Sequence, residues 1–365
     1  MSDEAYMERA LGLAEQGRGL TSPNPAVGSV VVADGRIVGE GYHEGPGKPH
    51  AEVIALREAG DRARGATLYT TLEPCDHFGR TPPCTAAVIE ARVARVVSAM
   101  RDPNPIVDGR GFAKLEAAGV EVQTGILSEL AARQLEGYAK HVRTGIPFVT
   151  WKMAASLDGR VAAHDGSSRW ITGEAARQDV HRLRGAADAI VVGAGTALAD
   201  NPSLTVRDPA YRGRPPLRVL VDATGRVPAS GDLFDGSAPT LVATTELASH
   251  ERREAWRAKG AEVLEYESES GLVPFGRLVA ALGERDSQNV LLEGGPTLAW
   301  SAIEDDAVDK VFVYLAPKLI GGKSAPGILG GRGFAPLSAA LRLRVVSVDQ
   351  IGEDVRVEAY VHRDR

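Results

Sequence analysis

Hydrophobic and polar positions along this chain repeat with two different periods, and the switches between them outline its elements. An apolar run from Val27 to Val32, a turn signal at Ala33-Asp34-Gly35-Arg36 and a second run from Ile37 to Gly41 predict a hairpin. His50 to Gly60 reads as a helix. The run Ala66 to Leu72, rich in β-branched and aromatic residues, predicts a strand that Glu73-Pro74-Cys75 ends. Cys84 then opens a helix over Thr85 to Ala91, helices and strands alternate to Gln123, and Ser128 to Val142 predicts one helical connector. After Arg143-Thr144-Gly145-Ile146-Pro147 a fresh α/β series begins. Its strands are expected near Phe148–Ala154, Ala189–Gly193, Leu217–Asp222, Thr240–Thr245, Val290–Glu293 and Lys310–Leu315, with helices such as Glu174–Arg184 and Glu251–Lys259 between them. The segment Leu341 to His362 alternates about Gly352-Glu353-Asp354 and predicts an antiparallel hairpin. The pattern is that of an α/β protein in two domains, 1–145 and 146–365.

Composition narrows the function classes. A chain of 365 residues has length for two cores. Its net charge of −6 and 5% aromatic content argue against nucleic acid as substrate, since both a general attraction to polyanions and a stacking surface are missing. Small molecules are favoured. The start, Met1-Ser2-Asp3-Glu4-Ala5-Tyr6-Met7-Glu8-Arg9, lacks the apolar stretch of a signal peptide, and no apolar run approaches membrane-spanning length, so a cytoplasmic protein is expected. The oligomeric state stays open, a homo-oligomer included.

The chain has two cysteines, Cys75 and Cys84, and they follow the triplet His50-Ala51-Glu52. His50, Cys75 and Cys84 supply the three protein ligands of a catalytic zinc, which keeps one position open for water. Glu52 is placed to carry protons without ligating the metal. A histidine with a glutamate two residues on, followed by Pro-Cys and a second cysteine, marks zinc deaminases that act on nucleobases. A structural zinc would be enclosed by four ligands, and three are evident. A disulfide would need an oxidising compartment, to which nothing else in the chain points.

The second half has no cysteine, so its chemistry differs. Leu291-Leu292-Glu293-Gly294-Gly295-Pro296-Thr297 leads a strand through two glycines into a helix, the geometry that turns backbone N–H groups toward a phosphate. Val191-Val192-Gly193-Ala194-Gly195-Thr196 repeats it more weakly and falls short of a dinucleotide fingerprint, because position 198 is leucine. Gly321-Gly322-Lys323 and Gly330-Gly331 read as loops. Where the strand Leu217–Asp222 ends, the hydroxyl of Thr224 and the guanidinium of Arg226 are suited to an adenosine 2′-phosphate, which favours NADPH over NADH.

Pro23-Asn24-Pro25-Ala26-Val27-Gly28, the His-Ala-Glu triplet and the run from Glu73 to Cys84 resemble the deaminase half of the bifunctional riboflavin-biosynthesis deaminase/reductase family. Lys152 to Gly159, Asp200-Asn201-Pro202 and Glu293-Gly294-Gly295 resemble its reductase half. The eight residues between the cysteines set the chain apart from cytidine and tRNA-adenosine deaminases, which usually have two. The resemblance implies a cytidine-deaminase-like α/β/α domain followed by a dihydrofolate-reductase-like α/β domain. It also implies hydrolytic deamination of 2,5-diamino-6-ribosylamino-4(3H)-pyrimidinone 5′-phosphate, with Glu52 as acid and base, and then reduction of the ribosyl group by NADPH. By the same resemblance Asn24, His43, His77 and Arg80 contact the first substrate, with Arg80 as the phosphate clamp. Ala154, Trp170, Thr196, Asp200, Thr224 and the turn Gly295, Pro296, Thr297, Leu298, Ala299, Trp300 and Ser301 would contact the cofactor. Ser168, Arg184, Leu204, Arg207 and Glu293 would hold the phosphorylated sugar. Lys152 and Asp200 would handle protons during ring opening, or else form a structural ion pair.

Overall fold

A computed structural model describes residues 2–208, 211–268 and 270–361. The chain divides into two units, Met1–Gly145 and Ile146–Arg365.

The first unit is built on a five-stranded sheet of β1 (Gly28–Ala33), β2 (Arg36–Tyr42), β3 (Thr67–Thr70), β4 (Arg95–Ser98) and β5 (Glu121–Thr124), in the order β2-β1-β3-β4-β5. The hairpin strand β1 runs antiparallel to β2 and β3, whereas β3, β4 and β5 are parallel. Alternation along each strand decides which helix covers which face. Val30, Tyr69 and Val97 meet Tyr6, Met7 and Leu11 of α1 (Asp3–Gln16). On the opposite face Val31, Leu68 and Val96 meet Ala55 and Leu56 of α2 (Ala51–Ala59), Val88 of α3 (Cys84–Glu90) and Leu115 of α4 (Arg110–Ala117). The helix α2 sits directly on β2. A Cβ at Gly39 would come within 2.1 Å of the Ala55 carbonyl oxygen, and one at Gly41 within 2.6 Å of that of Ala51. The expected single connector is two helices, α5 (Ser128–Gln134) and α6 (Glu136–Thr144), broken at Leu135 where φ is −104° and ψ is 14°. The break lets Ala131 of α5 join the α1 core while Leu135 and Tyr138 pack with Val27, Ala51 and Leu72.

The second unit carries a nine-stranded sheet. Its strands are β6 (Phe148–Ser156), β7 (Ala189–Gly193), β8 (Leu217–Val221), β9 (Thr240–Thr245), β10 (Glu262–Tyr266), β11 (Asn289–Leu292), β12 (Lys310–Ala316), β13 (Leu343–Ile351) and β14 (Asp354–Val361). The order is β10-β9-β8-β7-β11-β6-β12-β14-β13, parallel except for the closing hairpin β13–β14. Central strands such as β9 are buried at every residue, as a parallel sheet covered on both faces requires. Val149, Val191, Val219, Leu241 and Leu292 pack against Phe275 and Leu278 of α10 (Phe275–Gly283) and Ala299 of α11 (Pro296–Glu304). Ile190, Val192, Leu220 and Val242 face Ala197 of α8 (Ala194–Asp200) and Trp256 of α9 (His250–Ala258). Ala176 and Val180 of α7 (Glu174–Gly185) lie on Phe312 and Tyr314 of β12. The chain winds outward from β7 to β10 and then returns to insert β11 between β7 and β6. That reversal opens a crevice at the carboxyl ends of the strands, where ligands bind in sheets of this kind.

Candidate active sites

His50 is the residue before α2. Its extended backbone (φ −74°, ψ 163°) leaves the side chain off the helix end, turned to the cysteines instead. Cys75 follows the end of β3 and Cys84 is the first residue of α3, so three separate elements deliver the three donors. His50 Nδ1 is 3.1 Å from Cys84 Sγ and 3.6 Å from Cys75 Sγ, and the three donor atoms all lie within 4.8 Å of one another. A tetrahedral zinc with ordinary Zn–N and Zn–S bonds separates such donors by about 3.5 Å, so the donor set fits the ion in both chemistry and spacing. Both cysteines are free thiols. Hydrogen bonds from Cys84 and His50 pull the Cys75 thiol well below its ordinary range, while the same contact and burial push the Cys84 thiol up, so in the absence of a cation the two sulfurs share one proton. The other ring nitrogen of His50, Nε2, faces Thr81 Oγ1 at 3.4 Å, the outer contact that orients a ligating imidazole.

Glu52, in the first turn of α2, is 3% exposed. Burial first, and then the charge of Cys75, push its carboxyl up to about 7. His43, expected to touch substrate, is itself buried, and burial lowers its pKa. Its Nδ1 donates to the Pro49 carbonyl oxygen at 3.1 Å, its Nε2 meets Asn24 Nδ2 at 3.0 Å, and its ring stands edge-on to His50 with centroids 5.0 Å apart. In this tautomer His43 accepts from Asn24 and fixes that amide. His77 and Arg80 lie on the loop between the cysteines, where His77 Nδ1 is buried without a hydrogen-bond partner among the described residues and Arg80 is exposed.

Two acids near the three donors, Glu73 and Asp102, are fixed by contacts that no local sequence pattern marks. The carboxylate of Glu73 accepts four main-chain N–H bonds, from Asp102 (3.1 Å), Gly109 (3.0 Å), Gly111 (2.9 Å) and Phe112 (3.3 Å). Asp102 accepts from the Tyr138 hydroxyl at 3.0 Å and from the Asn104 N–H at 2.8 Å. The Asp-Pro-Asn-Pro composition of residues 102–105 signals a turn, but nothing local signals its distant partner.

In the second unit the crevice is a cleft of about 1480 Å³ at the carboxyl ends of β6, β7, β8 and β11. That exceeds the usual volume for one small ligand and suits a dinucleotide together with a phosphorylated sugar. The cleft gathers Lys152, Ala154, Ser168, Trp170, Arg184, Thr196, Asp200, Leu204, Arg207, Thr224, Arg226, Glu293, Gly295, Pro296, Thr297, Leu298 and Ser301. The side chains of Ala299 and Trp300 do not line it. Both are buried on the inner face of α11, Ala299 in the sheet core and Trp300 against Phe334 with ring centroids 5.1 Å apart, because a helix can turn only one face to a cleft. Arg184 grips Glu293 with two bonds of 2.6 and 3.0 Å, whereas Lys152 Nζ stands 3.8 Å from the same carboxylate. Burial alone would raise the Glu293 carboxyl, but the charges of Arg184 and Lys152 hold it at about 2. Burial lowers the pKa of Lys152. Asp200 accepts from Ser168 Oγ at 3.3 Å. Lys152 and Asp200 are therefore not each other's hydrogen-bonded partner; each is committed elsewhere and both border the cleft. Asp222, at the end of β8, is buried and accepts the Val227 N–H at 2.7 Å, while Thr224 and Arg226 beyond it are exposed on the cleft rim.

A family profile for the RibD C-terminal domain matches residues 147–357, and one for the cytidine and deoxycytidylate deaminase zinc-binding region matches residues 1–100. The riboflavin biosynthesis protein RibD of Escherichia coli (strain K12) is 43% identical over 366 residues, covering 97% of this chain and 98% of that protein. The chain belongs to the RibD family. Among solved structures, Acinetobacter baumannii RibD (form 1) superposes with a TM-score of 0.87 at 38% identity, covering 99% of each chain. The diaminohydroxyphosphoribosylaminopyrimidine deaminase/5-amino-6-(5-phosphoribosylamino)uracil reductase of Thermotoga maritima does so with 0.87 at 37% identity, again over 99% of each. The chain is thus a bifunctional deaminase and reductase of riboflavin biosynthesis that acts on small molecules. Its first domain is cytidine-deaminase-like and zinc-binding, and its second is the dihydrofolate-reductase-like RibD reductase domain. No helix among the described residues is long and apolar enough to cross a membrane.

Proposed function

We propose that residues 1–145 deaminate 2,5-diamino-6-ribosylamino-4(3H)-pyrimidinone 5′-phosphate at a zinc ion held by His50, Cys75 and Cys84. Residues 146–365 then reduce the ribosyl group of the product with NADPH, giving 5-amino-6-(5-phosphoribitylamino)uracil. The observation that carries the first half is the cluster of three donors from three elements with a buried carboxylate, Glu52, beside it. The zinc ion, when bound, supplies the Lewis acidity that makes water nucleophilic near neutral pH. Glu52 takes the water's proton, delivers it to the ring nitrogen and then assists the departure of ammonia. Asn24, its amide fixed by His43, meets the pyrimidine, and Arg80 meets the phosphate, which a guanidinium binds through two parallel bonds.

In the second half the work of the protein is orientation. NADPH, when bound, would supply a hydride for the sugar C1′. The first turn of α11, entered through Gly294-Gly295, offers backbone N–H groups to the cofactor's phosphates. Arg226 and Thr224, exposed on the cleft rim, receive the 2′-phosphate, which a guanidinium pairs with through two parallel bonds. Arg184 and Arg207 hold the sugar phosphate, and Lys152 and Asp200 move protons as the ring opens.

The test is to incubate the protein with the diaminopyrimidinone, with and without NADPH. Ammonia and the deaminated ribosylamino product are expected without cofactor, and the ribityl product with it. Elemental analysis should give about one zinc per chain, and Cys75→Ser should lose most of it. Arg226→Ala should raise KM for NADPH with little change in kcat, because the contact is remote from the hydride. Zinc-free wild-type protein, or equal kcat/KM with NADH and NADPH, would refute the corresponding half.

A further inference from the structure

Glu73 is a buried carboxylate with no cation among its described contacts, and its four acceptor sites are filled by four main-chain N–H groups of one segment, Asp102 to Phe112. Burying a carboxylate costs several kcal/mol unless rigid donors satisfy it, so this arrangement ties two stretches of chain in one register. On one side of the tie the next two residues are Pro74 and the metal ligand Cys75. Gly111 completes it, since a Cβ there would come within 1.9 Å of the Pro74 carbonyl oxygen, so the two backbones lie in contact. On the other side the segment is anchored by Asp102, which accepts the Tyr138 hydroxyl from α6. Cys75 is held from its far side as well: Thr85 N–H donates to its carbonyl oxygen at 3.2 Å and Cys84 N–H to its sulfur at 3.4 Å.

We propose that Glu73 is the positioning residue of the metal centre, fixing the Pro74-Cys75 turn against the Asp102–Phe112 segment so that the Cys75 sulfur meets the ion in one geometry. The inference rests on the reading of His50, Cys75 and Cys84 as zinc ligands. Glu73 touches neither metal nor substrate, and it acts through the backbone of Cys75. A glutamine in its place keeps the volume but turns an NH₂ group toward two of the four N–H donors, so half of the tie becomes repulsive.

The experiment compares wild-type protein with Glu73→Gln and Gly111→Ala. Two readouts follow metal geometry: the rate of zinc release to a chromogenic chelator and the visible d–d spectrum of the cobalt(II)-substituted protein. A cooperative unfolding transition of the first unit, followed by circular dichroism of the full chains, reports that they are folded. Glu73→Gln should release zinc roughly tenfold faster, the scale of lost outer-shell support, and shift the cobalt bands. Gly111→Ala separates the same two backbones with Glu73 intact and should change both readouts in the same direction; it decides the matter alone if Glu73→Gln does not fold. Wild-type release rates and cobalt spectra in the variants would overturn the proposal. Wild-type protein that binds neither zinc nor cobalt would overturn the metal assignment first, and the proposal with it.

Discussion

Glu52 and Glu73 are both 3% exposed, yet they meet opposite surroundings. Glu73 is saturated by N–H donors, whereas Glu52 faces the donor cluster, where burial favours its protonated form and a proton can be taken up and returned. Glu52→Gln is therefore expected to keep zinc and fold while deamination falls roughly a hundredfold to ten-thousandfold, measured as ammonia release beside metal analysis. Near-wild-type turnover would reduce Glu52 to a carboxylate at a helix start. In the reductase cleft the balance is reversed, because Arg184 and Lys152 hold Glu293 at about 2, below its ordinary value of 4.5. The folded state thus binds the Glu293 proton less tightly than the unfolded chain does. Its contribution to stability is fully present above pH 4.5 and is lost as pH falls through about 2. Denaturation across that window should show wild-type protein taking up nearly one more proton on unfolding than Glu293→Gln. Parallel pH slopes in the two proteins would reject the assignment.

At the scale of elements, the deaminase site depends on how closely α2 approaches the sheet, because α2 carries Glu52 and follows His50. Gly39 sets that approach: a Cβ there would meet the Ala55 carbonyl oxygen at 2.1 Å, and backbone does not yield as a flexible side chain would. Gly39→Ala is expected to cost about 1–3 kcal/mol of stability in the first unit, the range for overpacking, and to weaken zinc binding while reduction persists. Denaturant titration and metal analysis of the purified variant check both effects, and an unchanged midpoint would show that α2 can lift without penalty. The hairpin β1–β2, the strand β3 and the helix α3 were legible because period-two and helical patterns stood between clear turn signals. The pattern over 128–142 predicts one helix because it continues across Leu135; the break arises from packing, with Ala131 and Tyr138 belonging to different clusters.

Over the whole chain, each unit has its own buried clusters, with Val31, Ala55 and Leu68 at the centre of one and Val191, Leu241 and Phe275 at the centre of the other. A fragment ending at Gly145 is therefore expected to deaminate, and one beginning at Ile146 to reduce supplied intermediate. Two well-folded but inactive fragments would mean that each half completes the other's site. The sequence alone determined the α/β class, the resemblance that led to the RibD family and the donor set His50, Cys75 and Cys84, because residue type and short-range spacing carry those signals. It also marked most of the residues that the structure gathers into the reductase cleft. Tertiary structure alone decided that His43 holds Asn24, that Ala299 and Trp300 turn into the core, that Arg184 rather than Lys152 is the close partner of Glu293, and that Glu73 spans to Asp102, Gly109, Gly111 and Phe112. These pairings join residues far apart in the chain, and a buried polar group finds its partner only when strands and helices have packed, so no local pattern records the choice.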